Sequence, residues 1–60
     1  MKGQWKNKKN GKTYLFLNEA INTTNENDGQ IMVHYTDAIE KFVREKKEFS
    51  EKFEPVEKGN

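Results

Sequence analysis

Residues Asp37 to Pro55 read D-A-I-E-K-F-V-R-E-K-K-E-F-S-E-K-F-E-P, and two folds compete for them. Ile39, Phe42, Val43, Phe49 and Phe53 fall at spacings that share one face of a helix, with Lys46 in the gap. Asp37 followed by Glu40 has the form of a capping box, and Pro55 stands where such a helix would stop. Periodicity alone favours a single helix over 38–53, which would make the domain α+β. The competing reading is a strand near 40–45, one helical turn near 46–51 and a closing edge strand from Phe53. In that strand Val43 points inward, while Phe42 and Arg44 share the opposite face. Pro55 also suits this reading, because an edge strand tolerates a missing donor.

The sequence upstream is β in character. Residues 12–21 (K-T-Y-L-F-L-N-E-A-I) are rich in aromatic and large apolar side chains and are short for a helix. Before them, N-K-K-N-G supplies turn chemistry, with Gly11 free to adopt positive φ. The polar run 22–29 (N-T-T-N-E-N-D-G) ends in Asp-Gly, a strong hairpin signal. Ile31, Val33 and Tyr35 then alternate with Met32, His34 and Thr36, as in a half-buried strand. The expected core is Tyr14, Phe16, Ile31, Val33, Val43, Phe49 and Phe53.

Sixty residues make one small domain, with flexible ends expected at about 1–3 and 57–60. A chain of this size buries only about 60% of the surface its unfolded form exposes. It has no cysteine, so no disulfide or thiolate–zinc site supplements the core, and a homo-oligomer is one way to bury more. Charged residues are 35% of the chain, but a net charge of only +1 and seven aromatics favour a compact domain over disorder. No apolar run exceeds Tyr14-Leu15-Phe16-Leu17, so neither a membrane span nor a secretion signal is expected, and the setting is read as cytoplasmic. Charge is segregated along the chain. Residues 1–14 carry +5, residues 15–40 carry −5 and residues 41–60 carry +1. The basic arm and acidic middle are expected to dock, within one fold or between subunits.

Three pieces together resemble a family of very small domains found in phage and prophage genomes. They are W-K-N-K-K-N-G-K-T-Y (Trp5 to Tyr14), M-V-H-Y (Met32 to Tyr35) and F-V-R-E-K-K-E-F-S-E-K-F-E (Phe42 to Glu54). The resemblance implies a mainly β fold, a small SH3-like barrel of four to five short strands. In it Phe42-Val43-Arg44 form a strand, Glu48-Phe49 lie on the following turn and Phe53-Glu54 begin the closing strand. Two features depart from the family pattern. The turn before the aromatic-Val-Arg strand is T-D-A-I-E-K, without the usual Gly, and Glu45 stands where Pro often follows the Arg.

Catalytic chemistry finds little support in these residues. His34 is the lone histidine, without a cysteine partner, and reads as a half-exposed strand residue. Glutamates at 45, 48, 51, 54 and 57 alternate with lysines as a solvated, ion-paired face. The Asp28-Gly29 step lacks the first and twelfth ligands of a calcium loop, and no cofactor or metal is expected. Binding chemistry is better represented. Lys8 and Lys9 lie in a basic arm beside Trp5, suited to phosphates and base stacking. Arg44 is the single arginine against ten lysines, and its planar five-donor group suits clamping a carboxylate or phosphate. Trp5, Tyr35 and Phe42 are its expected neighbours on the barrel surface. The competing role for Arg44 is an internal ion pair with an acid from residues 15–40. From elimination and the resemblance, the expected function is that of a non-enzymatic, phage-type binding protein. It would occupy or inhibit a host or defence-system component, either a protein or a small anionic nucleotide signal. A small nucleic-acid-binding module using the lysine-rich arm is the alternative.

Overall fold

The computed structural model describes residues 2–24, 26 and 28–56. The segment 57–60, expected to be flexible, lies outside them. The chain forms β1 (Gln4–Asn7), β2 (Thr13–Asn22), β3 (Gln30–Thr36), β4 (Lys41–Glu45), α1 (Lys46–Lys52) and β5 (Phe53–Pro55). One antiparallel sheet runs in the order β4-β3-β2-β1-β5, so the last strand returns to lie beside the first. The protein is therefore mainly β, with the barrel-like strand order and short late helix implied by the family resemblance. The helix over 38–53 does not form: residues 41–45 are a strand, and only 46–52 are helical.

Why the helix reading fails is visible at Asp37. Its carboxylate does what a helix cap does, with Oδ1 accepting from the N–H of Ile39 (2.9 Å) and Glu40 (2.8 Å). The chain closes into a turn instead, because the Asp37 N–H donates to the Glu40 carbonyl (3.3 Å) and the Thr36 hydroxyl donates to the same carbonyl (2.6 Å). Asx chemistry of this kind serves turns as readily as helix starts. Ala38 supplies the reversal itself, at φ 81°, taking the left-handed conformation that a glycine would take more easily.

The core is aromatic. Val33, Tyr35, Phe49 and Phe53 are buried, and Trp5, Tyr14, Phe16 and Phe42 pack around them, so all seven aromatics of the chain join one cluster. Tyr35 is its hub, with ring centroids of Tyr14, Phe42, Phe49 and Phe53 at 5.1–5.4 Å. Phe49 stacks on Phe53 at 4.3 Å, and the edge of Trp5 meets Phe49 at 5.3 Å. Such pairs add about 0.5–1.5 kcal/mol beyond the area they bury. At seven residues α1 is too short to hold itself, and Phe49 pins it to the sheet.

Two expected core residues are not in the core. The register pairs Tyr35 with Phe42, Val33 with Arg44 and His34 with Val43. Residues directly opposite share a face, so Phe42 and Arg44 lie on the inner side and Val43 on the outer, the reverse of the sequence reading. Val43 is accordingly 57% exposed. Ile31 has the inward parity that alternation predicts, but it lies at the far end of the β2–β3 hairpin beside Ile21, and both remain exposed. That hairpin outruns the cluster, and the molecule measures 43 × 23 × 21 Å. Tyr14 and Phe16 are half-buried rather than enclosed.

A bulge at Leu17 interrupts β2, between the pairs Phe16–Tyr35 and Asn18–His34. The extra residue reverses parity. Tyr14 and Phe16 face inward before it, whereas Glu19 and Ile21 take that side after it, opposite Val33 and Ile31. Glu19 thereby reaches Lys46 at the start of α1, at 3.1 Å. Among the described residues, the docking expected between the basic arm and the acidic middle amounts to one contact, Lys12 with Asp37 at 3.7 Å. Lys6 pairs instead with Glu54 across β1 and β5 at 3.6 Å.

Candidate functional site

Asn7 ends β1 and organises the turn that follows. Its Oδ1 accepts from the N–H groups of Lys9 (2.8 Å) and Asn10 (3.2 Å), and its carbonyl accepts from Gly11 N–H (2.8 Å). Asn10 Oδ1 in turn accepts from Lys12 N–H (2.8 Å), and Gly11 takes φ 73°, as the N-K-K-N-G reading expects. The Lys8 N–H donates to the Lys52 carbonyl (2.9 Å), tying this turn to the end of α1. Short-range amide chemistry therefore fixes the Lys8–Lys9 backbone, and one long-range bond docks it.

The docked turn forms one wall of a cavity of about 430 Å³, with Lys52 and Glu51 of α1 and Arg44 of β4 across from it. Three sequence-predicted site residues, Lys8, Lys9 and Arg44, thus line one concavity, although Arg44 is distant from the two lysines in the chain. Lys52 is a fourth cation there. Sequence reading passed it over among the alternating charges of residues 45–57, and no local signal separates it from its neighbours. Among the described residues, neither Lys8 nor Lys9 has an acid within ion-pair distance.

Arg44 is held by its own fold. Its Nε donates to the Tyr35 hydroxyl (3.3 Å), one terminal nitrogen donates to Glu48, and the guanidinium lies 5.8 Å over the Phe53 ring. The Tyr35 hydrogen bond, reinforced by Glu48, raises its pKa further above the ordinary arginine value, so it stays charged. The internal ion pair considered for Arg44 exists, but its partner is Glu48, in the first turn of α1, and not an acid from residues 15–40. Tyr35, expected beside Arg44 on the surface, contributes only its hydroxyl there, since its ring is buried in the core. Trp5 and Phe42 likewise pack against the core, and neither lines this cavity.

The chemistry offered is cation-rich, with hydrogen-bond donors and one carboxylate, Glu51, at the rim. Among the described residues, no group of three or more His, Cys, Asp or Glu side chains converges as a metal site would require. Among the described residues, no helix is long and apolar enough to cross a membrane. His34 lies on the outer face opposite Val43, away from the Arg44 side of the sheet. Comparison with protein-family models, curated proteins and solved structures finds no match to this chain.

Proposed function

We propose that this protein is a non-enzymatic binding protein that captures an anionic group in the cavity between the Lys8–Lys9 turn and α1. The observation carrying this reading is the convergence of Lys8, Lys9, Lys52 and Arg44 on one concavity of about 430 Å³. That volume is in the range of small-ligand sites. Arg44 is held in place by Tyr35 and Glu48, and a pre-positioned cation loses less freedom on binding than a mobile one. The anion is a phosphate or carboxylate, borne by a nucleotide signal or by an acidic segment of a partner protein. The resemblance to phage and prophage domains supports a role in the cytoplasm of an infected or lysogenic bacterium. There the protein would occupy a host or defence component by steric means alone.

The nucleic-acid reading draws on the same lysines, but no aromatic ring lines the cavity beside them for a base to stack on. Titration calorimetry with a panel of mono-, di- and cyclic nucleotides tests the leading reading. Binding to one class, weakened by Arg44→Ala and abolished by Lys8→Glu with Lys9→Glu, is the expected result. Binding only to random oligonucleotides, with a steep salt dependence lost in the lysine variant, would transfer the site to the nucleic-acid reading.

A further inference from the structure

The sheet has two outer edges, and they differ. At β5 the Phe53 N–H is taken by the Phe49 carbonyl, Pro55 has no N–H, and the Val56 N–H donates to the Gln4 carbonyl (2.9 Å). Glu54 is paired with Lys6. This edge offers a further strand almost no donor, a common protection of sheet edges. At β4 the Asp37 N–H bond to the Glu40 carbonyl sets the alternation of the ladder. The backbone groups of Phe42 and Arg44 therefore face β3, and those of Lys41, Val43 and Glu45 face outward. Among the described residues, Lys41 and Val43 make no backbone hydrogen bond on that outward side.

We infer that β4 pairs with β4 of a second copy of this chain, antiparallel and centred on Val43. The residues themselves specify this partner. Around Val43 the sequence is E-K-F-V-R-E-K, from Glu40 to Lys46. An antiparallel copy in this register sets Lys41 against Glu45, Phe42 against Arg44 and Val43 against itself, over the whole of β4. The Lys41–Glu45 pairs are attractive and recur on both sides of the symmetry axis. Sliding by two residues toward Arg44 opposes the two arginines and loses the Lys41–Glu45 pairs. Sliding the other way loses those pairs as well. Lys41, Val43 and Glu45 share the outer face, so the pairing also covers the exposed Val43 side chains on the symmetry axis. Five residues make a small interface, so the dimer is weak and concentration-dependent.

Sedimentation equilibrium from about 10 µM to about 1 mM spans the range expected of such an interface. The wild type should move from its monomer mass of 7.1 kDa toward twice that value. Lys41→Glu and Glu45→Lys each place like charges opposite one another at both ends, and should weaken self-association by about tenfold. An equimolar mixture of the two single variants should recover a heterodimer, since each then supplies the charge the other lacks. The double exchange in one chain should restore the homodimer. Circular dichroism of the single variants checks that they remain folded. Amide exchange gives an independent reading: the Val43 N–H should gain protection with concentration. A monomer throughout the range, a dimer insensitive to both single reversals, or a ring closed through β5 would each overturn the proposal.

Discussion

Replacing Ala38 with glycine should stabilise the protein, against the usual direction of such a change. At an ordinary site Ala→Gly loosens the unfolded chain and destabilises by roughly 0.5–1 kcal/mol. Ala38, however, sits at φ 81° in the turn between β3 and β4. An L-residue there carries a penalty of about 1–2 kcal/mol that glycine does not. The turn has no alternative way to close, since Asp37 Oδ1 holds the N–H groups of Ile39 and Glu40 and the Thr36 hydroxyl accepts from the N–H of Ala38 (3.0 Å). Subtracting the entropy term from the strain term leaves a net gain centred on about 0.75 kcal/mol, within a range of about 0–1.5 kcal/mol. For a domain of this size the central value falls within about 2–8 °C in the thermal midpoint. Gly29→Ala is the matched control. Gly29 has φ 90° and nothing within 4 Å of an added Cβ, so its response is purely conformational and should be a loss of similar size. Thermal melts followed by circular dichroism at fixed, low concentration would measure both. A lower midpoint for Ala38→Gly, or no loss for Gly29→Ala, would refute the assignment of strain to these backbone positions.

Phe49→Ala removes the side chain that attaches α1 to Trp5, Tyr35 and Phe53, at a cost of about 3–5 kcal/mol, comparable with the whole stability of a small domain. The variant should be largely unfolded by circular dichroism, whereas Ile39→Ala, at an 87% exposed position, should change stability by less than about 0.5 kcal/mol. Asp37 has its pKa lowered chiefly by the Glu40 N–H and next by the Ile39 N–H, with Lys12 adding to the effect. A depressed carboxyl stabilises the fold above its unfolded pKa and loses that contribution as pH falls through the folded value. Urea midpoints should therefore drop below about pH 4 in the wild type, and Asp37→Asn should flatten that limb. Arg44→Lys keeps the charge but has no planar fork to engage Tyr35 and Glu48 together, so anion affinity should fall in calorimetry while the fold persists.

Alternation and turn chemistry are local, and so β2, β3 and the N-K-K-N-G turn stand in the chain as written, with Gly11 and Gly29 at the positive φ values their turns require. The mainly β fold implied by the resemblance also holds, against a helical periodicity that is real: Phe49 and Phe53 are both buried as a helix would bury them, but one sits in α1 and the other begins β5. Local pattern cannot say which face of a strand is inner. Phe42 and Arg44 turn inward because β4 is registered on Tyr35 and Val33, and the same register leaves Val43 outside. Nor can alternation foresee the bulge at Leu17, which reverses parity and delivers Glu19 to Lys46. The candidate site depends on tertiary structure most of all. Arg44 and the lysines were individually legible by residue type, but their meeting rests on long-range pairing: β1 against β5, with Asn7 opposite Phe53, and the backbone bond from Lys8 to Lys52, 44 residues apart in the chain.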